Sequence, residues 1–301
     1  MATYLLSYRI MAGSSRYRAK RTALQPPHAA LQCIFANAHS LTNIIRPLGH
    51  MLLPLLLLVT FALVEANFQF YGQGNVHHDP EDAHVFRRFF SNNGKPPYHM
   101  NGTYVEMGAA DGLSISNTVF FERELGWGGL LVEPGSRFGR LVRNRKASGR
   151  NTILHAAVCA ENRTAEWVEQ ANADVSGVLS DMNSYHLRRY HTHSTRRTIQ
   201  CRTLHAMLRE AGIRHIDFFS LDTEGSELSV LATMDWSVPI RVLVVELDGH
   251  NQVKDEQVRV LLKAHGMRFI SRMGFRKWNE LWVGNSTFTM VDRASSTLGN
   301  R

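Results

Sequence analysis

From residue 103 onward, short runs of β-branched and apolar residues alternate with longer stretches whose apolar positions recur every three or four residues. The short runs, at 103–107, 129–133, 152–158, 216–221 and 241–247, predict strands. The longer stretches, at 116–125, 136–147, 203–211, 226–234 and 253–265, predict helices. Strands that alternate with helices form a parallel sheet covered on both faces, so the expected class is α/β, doubly wound and mostly parallel. A last apolar pair, 267–271 and 280–283, flanks Gly274 and predicts a C-terminal antiparallel hairpin at the sheet edge. No repeat of fixed period is present, which excludes a solenoid.

The chain before residue 99 has a different texture. Residues 51–64 form the one long apolar run, and Val64 and Ala66 after it are spaced like a signal-peptidase site. Counted from Leu48 the run covers 48–64, interrupted by His50, which is close to the ~20 residues of a spanning helix. Two readings therefore stand: a cleaved signal peptide, or a type II signal anchor with its basic, acid-free N-terminus in the cytosol. Both send the following domain into the secretory pathway, secreted or lumenal. Residues 67–98, with Gly72, Gly74 and Lys95-Pro96-Pro97, read as a linker that holds a short helical stretch around 81–91. The main domain is then 99–290, followed by a polar tail at 291–301.

Composition narrows the function. The chain is 44% hydrophobic and 20% charged, which excludes collagen-like, coiled-coil and wholly disordered classes. The formal charge of +8 suggests a polyanion partner until its distribution is read. Residues 1–50 hold six basic residues and no acid, leaving 28 basic and 26 acidic residues in the remainder. No nucleic-acid partner is expected for so balanced a domain. Cys33 precedes the apolar run, so Cys159 and Cys201 are the expected disulfide pair in an oxidising compartment. Asn101, Asn162 and Asn285 each open a glycosylation triplet. No metal site is expected: His77, His78 and Asp79 are adjacent in a loop, and adjacent residues rarely converge on one ion.

In an open α/β sheet the ligand lies at the carboxyl ends of the strands. The first strand runs into Gly108-Ala109-Ala110-Asp111-Gly112, whose glycines permit a tight turn and a close ligand approach. The second strand ends in Glu133, 21 residues after Gly112, where a carboxylate reaches ribose hydroxyls. A phosphate-binding G-x-x-x-x-G-K-[ST] loop is absent, and Glu106 beside the glycines would repel pyrophosphate while favouring a cation. S-adenosylmethionine, which has a ribose, no phosphate and a positive sulfonium, fits better than NAD. The fourth strand ends in Asp222, Glu224 and Glu227, a costly group unless a cation or donors fill the space, although Glu227 also reads as an ordinary helix N-terminal acid.

Val105–Gly112, Ser116-Asn117-Thr118, Gly126–Pro134 and Ser220–Glu227 together resemble the FkbM-type methyltransferase family, with most similarity to its animal Star-like branch. The resemblance implies a class I, Rossmann-like methyltransferase fold with S-adenosylmethionine as cofactor. By position it places Glu106, Gly108, Asp111, Gly112 and Asn117 in the first cofactor loop, Glu133 at the ribose, and Asp222 with Glu224 at the methyl-donor end. Ala110 departs from the Asn common in the family. Asp222 and Glu224 are the expected catalytic residues, the acceptor being a hydroxyl of a glycan or other small molecule. The stretch Ser184–Arg197, with His186, His191 and His193, reads as a solvated basic loop, His191 or His193 being second candidates for a base. The competing expectation is a catalytically inactive lumenal protein of the Star-like kind, acting in membrane trafficking or export of protein cargo.

Overall fold

The computed structural model describes residues 68–74, 79–170 and 175–285. The apolar run at 48–64, His77, His78 and the tail at 291–301 lie outside the described residues. Among those described, no helix is long and apolar enough to cross a membrane.

The central sheet is built from β1 (Thr103–Met107), β2 (Gly128–Val132) and β3 (Asn151–Leu154) on one side. Three short strands of a separate sheet come next in the chain, β4 (Ala157–Val158), β5 (Arg163–Glu169) and β6 (Gly177–Val178), with β7 (Thr195–Arg202) after them. The central sheet then resumes with β8 (Ile216–Leu221), β9 (Ile240–Glu246), β10 (Arg268–Met273) and β11 (Asn279–Val283). Its order is β10-β11-β9-β8-β1-β2-β3. The strands from β9 to β3 are parallel, and β11 pairs antiparallel with both β9 and β10. This is the doubly wound α/β fold with the C-terminal hairpin that the alternation predicts.

Both faces of the sheet are covered. Val105, Leu130, Phe219 and Leu243 pack on one side, and their chain neighbours Tyr104, Leu131, Phe218 and Val242 on the other. All six residues of β8 are buried, as expected of a central parallel strand. The helices start and stop on local signals: Thr203 and Asn251 accept main-chain N–H groups as N-caps, and Gly126 takes the left-handed C-cap conformation.

Three expectations change. The short helix expected around 81–91 is present, at Glu81–Val85 and continuing as one π-type turn over Phe86–Phe90, but the stretch around it packs on the domain and is not a linker. Val85, Phe86 and Phe90 are buried against Phe120, Phe121 and Trp127, because an aromatic face this large is stable only under cover. The predicted strand at 152–158 divides in two. Its second half leaves the central sheet for a four-stranded one, ordered β4-β7-β5-β6. Third, Ser184–Arg197 is not a loop: it contributes a helix at Ser184–Tyr190, capped by Asn183, and the start of β7. Arg196 and Arg197 there pair with Glu166 and Glu169 on β5. The Cys159–Cys201 disulfide joins the end of β4 to β7 at a Cα separation of 5.4 Å, inside the range a bridge requires. The three glycosylation-type asparagines are exposed.

Candidate active site

The strand order reverses between β1 and β8, and register brings their ends together. Glu106 lies opposite Ser220, and Met107 lies opposite both Leu221 and Val132, so Gly108, Glu133 and Asp222 all emerge at one rim. A crevice of about 950 Å³, counting its open mouth, lies there. Its lining includes Glu106, Gly108, Asn117, Glu133, Asp222 and Glu224. Asp111 and Gly112 stand outside that lining.

The first loop is held from beneath by its own carboxylates. Glu106 is 4% exposed and accepts from the Ser116 hydroxyl at 2.9 Å, the Asn117 N–H at 2.9 Å and the Thr118 hydroxyl at 2.7 Å. The buried Arg145 guanidinium stands 3.7 Å away and also binds Glu122, Tyr104 and the Gly112 carbonyl. Burial raises the Glu106 pKa, against the pull of Arg145 and the two hydroxyls. The charge expected to attract a cation is thus met inside the protein. Asp111 similarly accepts from the Leu113 and Ser114 N–H groups, which hold its carboxyl low despite partial burial. Gly108 has φ of +80°, and a Cβ there would lie 1.9 Å from the Asp222 carbonyl oxygen, so only glycine closes this turn. Gly112 serves packing: a Cβ would meet Leu141 and Arg145.

Glu133 keeps capacity for a ligand. One carboxylate oxygen accepts from the Ala110 N–H at 2.8 Å and the other from the Gly135 N–H at 2.5 Å, which leaves a lone pair on each. Burial pushes this carboxyl up to about 7, and the two N–H groups limit the rise. Asn117 donates through Nδ2 to Glu81 and Ser220, while its buried Oδ1 has no hydrogen-bond partner among the described residues.

The β8 side is different. Glu227 is buried and gathers the loop, accepting from the Thr223 and Gly225 N–H groups and pairing with Lys254. Asp222, Glu224 and Glu246 have carboxylate oxygens within 4.8 Å of one another. Asp222 opens onto the crevice yet is ringed by protein; the resulting desolvation holds its carboxyl at about 6, a hydrogen bond from Glu246 opposing the rise. Glu246 is raised well above its ordinary range, by desolvation first and then by Asp222, Glu224 and Glu227. Glu224 adopts φ of +55°, a strained conformation for a non-glycine residue, of the kind that persists where surrounding structure enforces it.

The sequence matches the family described as the methyltransferase FkbM domain over residues 106–269, more than half of the chain. The chain belongs to the FkbM methyltransferase family. Among solved structures it is similar to the methyltransferase FkbM from Methylobacillus flagellatus KT, with 14% identity over 66% of this chain and 47% of that one, TM-score 0.41. A precorrin-6y C5,15-methyltransferase from Geobacter metallireducens GS-15 has 9% identity over 72% of this chain and 94% of that one, TM-score 0.35. The delta-N METTL16 methyltransferase domain has 11% identity over 75% and 94%, TM-score 0.39. The chain spans about half the length of the Methylobacillus protein. No curated protein matches it.

Within this FkbM domain the structure brings Glu106, Gly108, Asn117, Glu133, Asp222 and Glu224 to one crevice, and assigns Asp111 and Gly112 to the loop that supports it. The alternative bases are not there. His191 binds the Val175 carbonyl through Nε2, and His193 is exposed, both outside the crevice lining. The histidine that does reach the acids is His186, which the sequence reading left in a basic loop. Its Nε2 hydrogen-bonds Asp248 at 2.9 Å, and its Nδ1 faces Glu224 at 3.6 Å. Glu246 was also missed as a site residue, although an acid ending an apolar strand was the available signal. His186 offered no such signal, since its partner Asp248 is 62 residues away.

Proposed function

We propose that the FkbM domain binds S-adenosylmethionine in this crevice and methylates a hydroxyl of a small molecule or glycan. The observation that carries the reading is the set of acceptors lining the crevice: a lone pair on each Glu133 oxygen, the buried Asn117 Oδ1 with no hydrogen-bond partner among the described residues, and the Asp222 and Glu224 carboxylates after β8. Such a wall fits a ligand with sugar hydroxyls at one end and positive charge at the other. Glu133 would hold the ribose hydroxyls, the Gly108–Ala110 turn would pass close to the ligand, and Asn117 Oδ1 with Asp222 would receive the ammonium group. When bound, the cofactor supplies an electrophilic methyl group on a positively charged sulfur.

A hydroxyl acceptor needs a proton acceptor within hydrogen-bond reach as its oxygen attacks. Glu224 would take that proton at a carboxylate oxygen, a role supported by its position in the crevice lining and on the turn after β8. Asp222 takes part through charge, and the protein's remaining contribution is to hold the acceptor in line, which is worth ~7–11 kcal/mol of a barrier in well-oriented systems. The secretory setting is supported by the Cys159–Cys201 bridge and by exposed Asn101, Asn162 and Asn285.

Calorimetry of the purified full-length protein with S-adenosylmethionine tests the reading. Saturable one-to-one binding, weakened at least tenfold by Glu133→Gln, is expected. Absence of binding overturns it and returns the domain to the non-catalytic Star-like alternative. In a methylation assay with a hydroxyl acceptor, Glu224→Gln should lower kcat by about 100-fold or more. Mass spectrometry of secreted material reports the glycans and the leader.

A further inference from the structure

We propose that Trp167 and Ser226 recognise the acceptor, and that the acceptor is an uncharged pyranose, a role that rests on the methyl-transfer reading. Trp167 lies on β5 of the second sheet and lines the crevice together with Val158 and Val178. Register sets Trp167 opposite Val178 on β6, and the adjoining Gly177 approaches the turn after β8 so closely that a Cβ on it would lie 3.2 Å from the Glu224 carbonyl oxygen. The second sheet therefore walls the crevice at its Glu224 end. Trp167 is held there in an apolar cluster that includes Val178, Ile199 and the bridged Cys159 and Cys201.

Two buried donors belong to this wall and to the turn beside it. Trp167 is 5% exposed, and its Nε1, which can only donate, has no hydrogen-bond partner among the described residues. Ser226 is 3% exposed and occupies the N-cap position of helix Glu227–Ala232, yet its hydroxyl caps no N–H and is likewise without a partner among the described residues. Both residues line the crevice. Buried indole N–H and hydroxyl groups are ordinarily paired, so two left open along one cavity mark where the acceptor oxygens of a ligand belong.

Charge limits what such a subsite admits. Glu106, Glu133, Asp222 and Glu224 line the crevice, and no Lys, Arg or His is among its described lining residues, so a carboxylate, sulfate or phosphate on the acceptor would meet like charge with no counter-ion. Oxygen count narrows the class further. A phenol or simple alcohol spends its one oxygen on the methyl group, whereas a pyranose keeps others for the indole N–H and the Ser226 hydroxyl. Its C–H face also suits the electron-rich face of an indole. Because both donors are buried, a substrate without either oxygen leaves one unpaired, which turns binding into selection.

The test observes the Trp167 indole N–H by nuclear magnetic resonance in full-length ¹⁵N-labelled protein, with and without S-adenosylhomocysteine, the signal being assigned by its loss in Trp167→Phe. The probes are the methyl pyranosides of glucose, galactose, mannose and N-acetylglucosamine, with methyl glucuronide as the anionic counterpart. We expect at least one neutral pyranoside to shift this signal saturably and the glucuronide to leave it in place. Trp167→Phe keeps a ring and removes the donor, so by calorimetry it should weaken that pyranoside about tenfold, and Ser226→Ala about threefold or more, while S-adenosylmethionine affinity stays within about twofold. Circular dichroism melts confirm that each variant folds. A signal that no pyranoside moves, or that S-adenosylhomocysteine alone moves, overturns the subsite, and an equal response to glucuronide overturns the neutral class. Calorimetry with S-adenosylmethionine separates the two proposals: cofactor binding without a pyranoside response removes the subsite and keeps the methyltransferase, and the reverse result does the opposite.

Discussion

On the β1 and β2 side of the crevice, Glu106, Asp111 and Glu133 each meet donors from their own chain: hydroxyls, main-chain N–H groups and, for Glu106, the Arg145 guanidinium. On the β8 and β9 side, Asp222 accepts from Glu246 with Glu224 close by, and the His186 imidazole lies between Asp248 and Glu224. The two sides are equally acidic in sequence. An acid at a strand end is therefore ambiguous: Glu106 is taken up by hydroxyls, an N–H and a guanidinium, whereas Glu133 keeps a lone pair on each oxygen for a ligand. Glu106 and Glu227 belong to the scaffold; Asp222 and Glu224 belong to the site.

The largest expected effect sharpens this contrast on the scaffold side. Arg145→Ala strips the buried Glu106 and Glu122 of their countercharge and should cost about 3–5 kcal/mol in guanidinium melts. A loss below about 1 kcal/mol would mean that the first side is not held by its ion network. Glu81 straddles the comparison, since it accepts from Asn117 on one side and feels the Asp222 charge on the other. Burial pushes its carboxyl up to about 7 from an ordinary 4.5. Between those values the folded state keeps a proton that the unfolded chain releases, so stability falls as pH rises through this window, by roughly 3 kcal/mol from this group. Other raised acids act in the same direction, so the measurement is a difference: Glu81→Gln should flatten the decline between urea melts at pH 5 and pH 8.

Gly108→Ala joins the two sides physically, because its Cβ would collide with the Asp222 carbonyl in a left-handed conformation. A loss of about 2 kcal/mol and at least tenfold weaker cofactor binding are expected, read by melts and calorimetry. The smallest effect is expected on the ligand side. Glu246, protonated where it donates to Asp222, is matched by the amide of Glu246→Gln, so melting at neutral pH should change by no more than about 0.5 kcal/mol. A loss above about 1 kcal/mol would make the second side scaffold too and erase the distinction.

Much of this was legible before any coordinates. The order of strands and helices from β1 to β11 follows from hydrophobic period, and the crevice follows from the rule that ligands sit where strand order reverses. Glu133 and Asp222 were found because an acid closing an apolar strand is conspicuous. The second sheet was hidden for the opposite reason: β5 and β7 are exposed along much of their length and carry Arg163, Arg196 and Arg197 where a buried strand would show Val or Ile. The short helix at 81–90 was legible, but its packing on the domain was masked by the glycines and prolines around it, although Phe86 and Phe90 carry the apolar face that packs.

By itself the sequence determined the α/β class, the family, the Cys159–Cys201 pair and the set of acids from which the site is drawn. These depend on local period and on residue type, which a linear pattern carries in full. Tertiary structure alone decided which acids face donors and which face one another, and brought His186 and Asp248 together across 62 residues. Hydrogen-bond satisfaction is a property of directions in space, and the order of residues along a chain does not encode it.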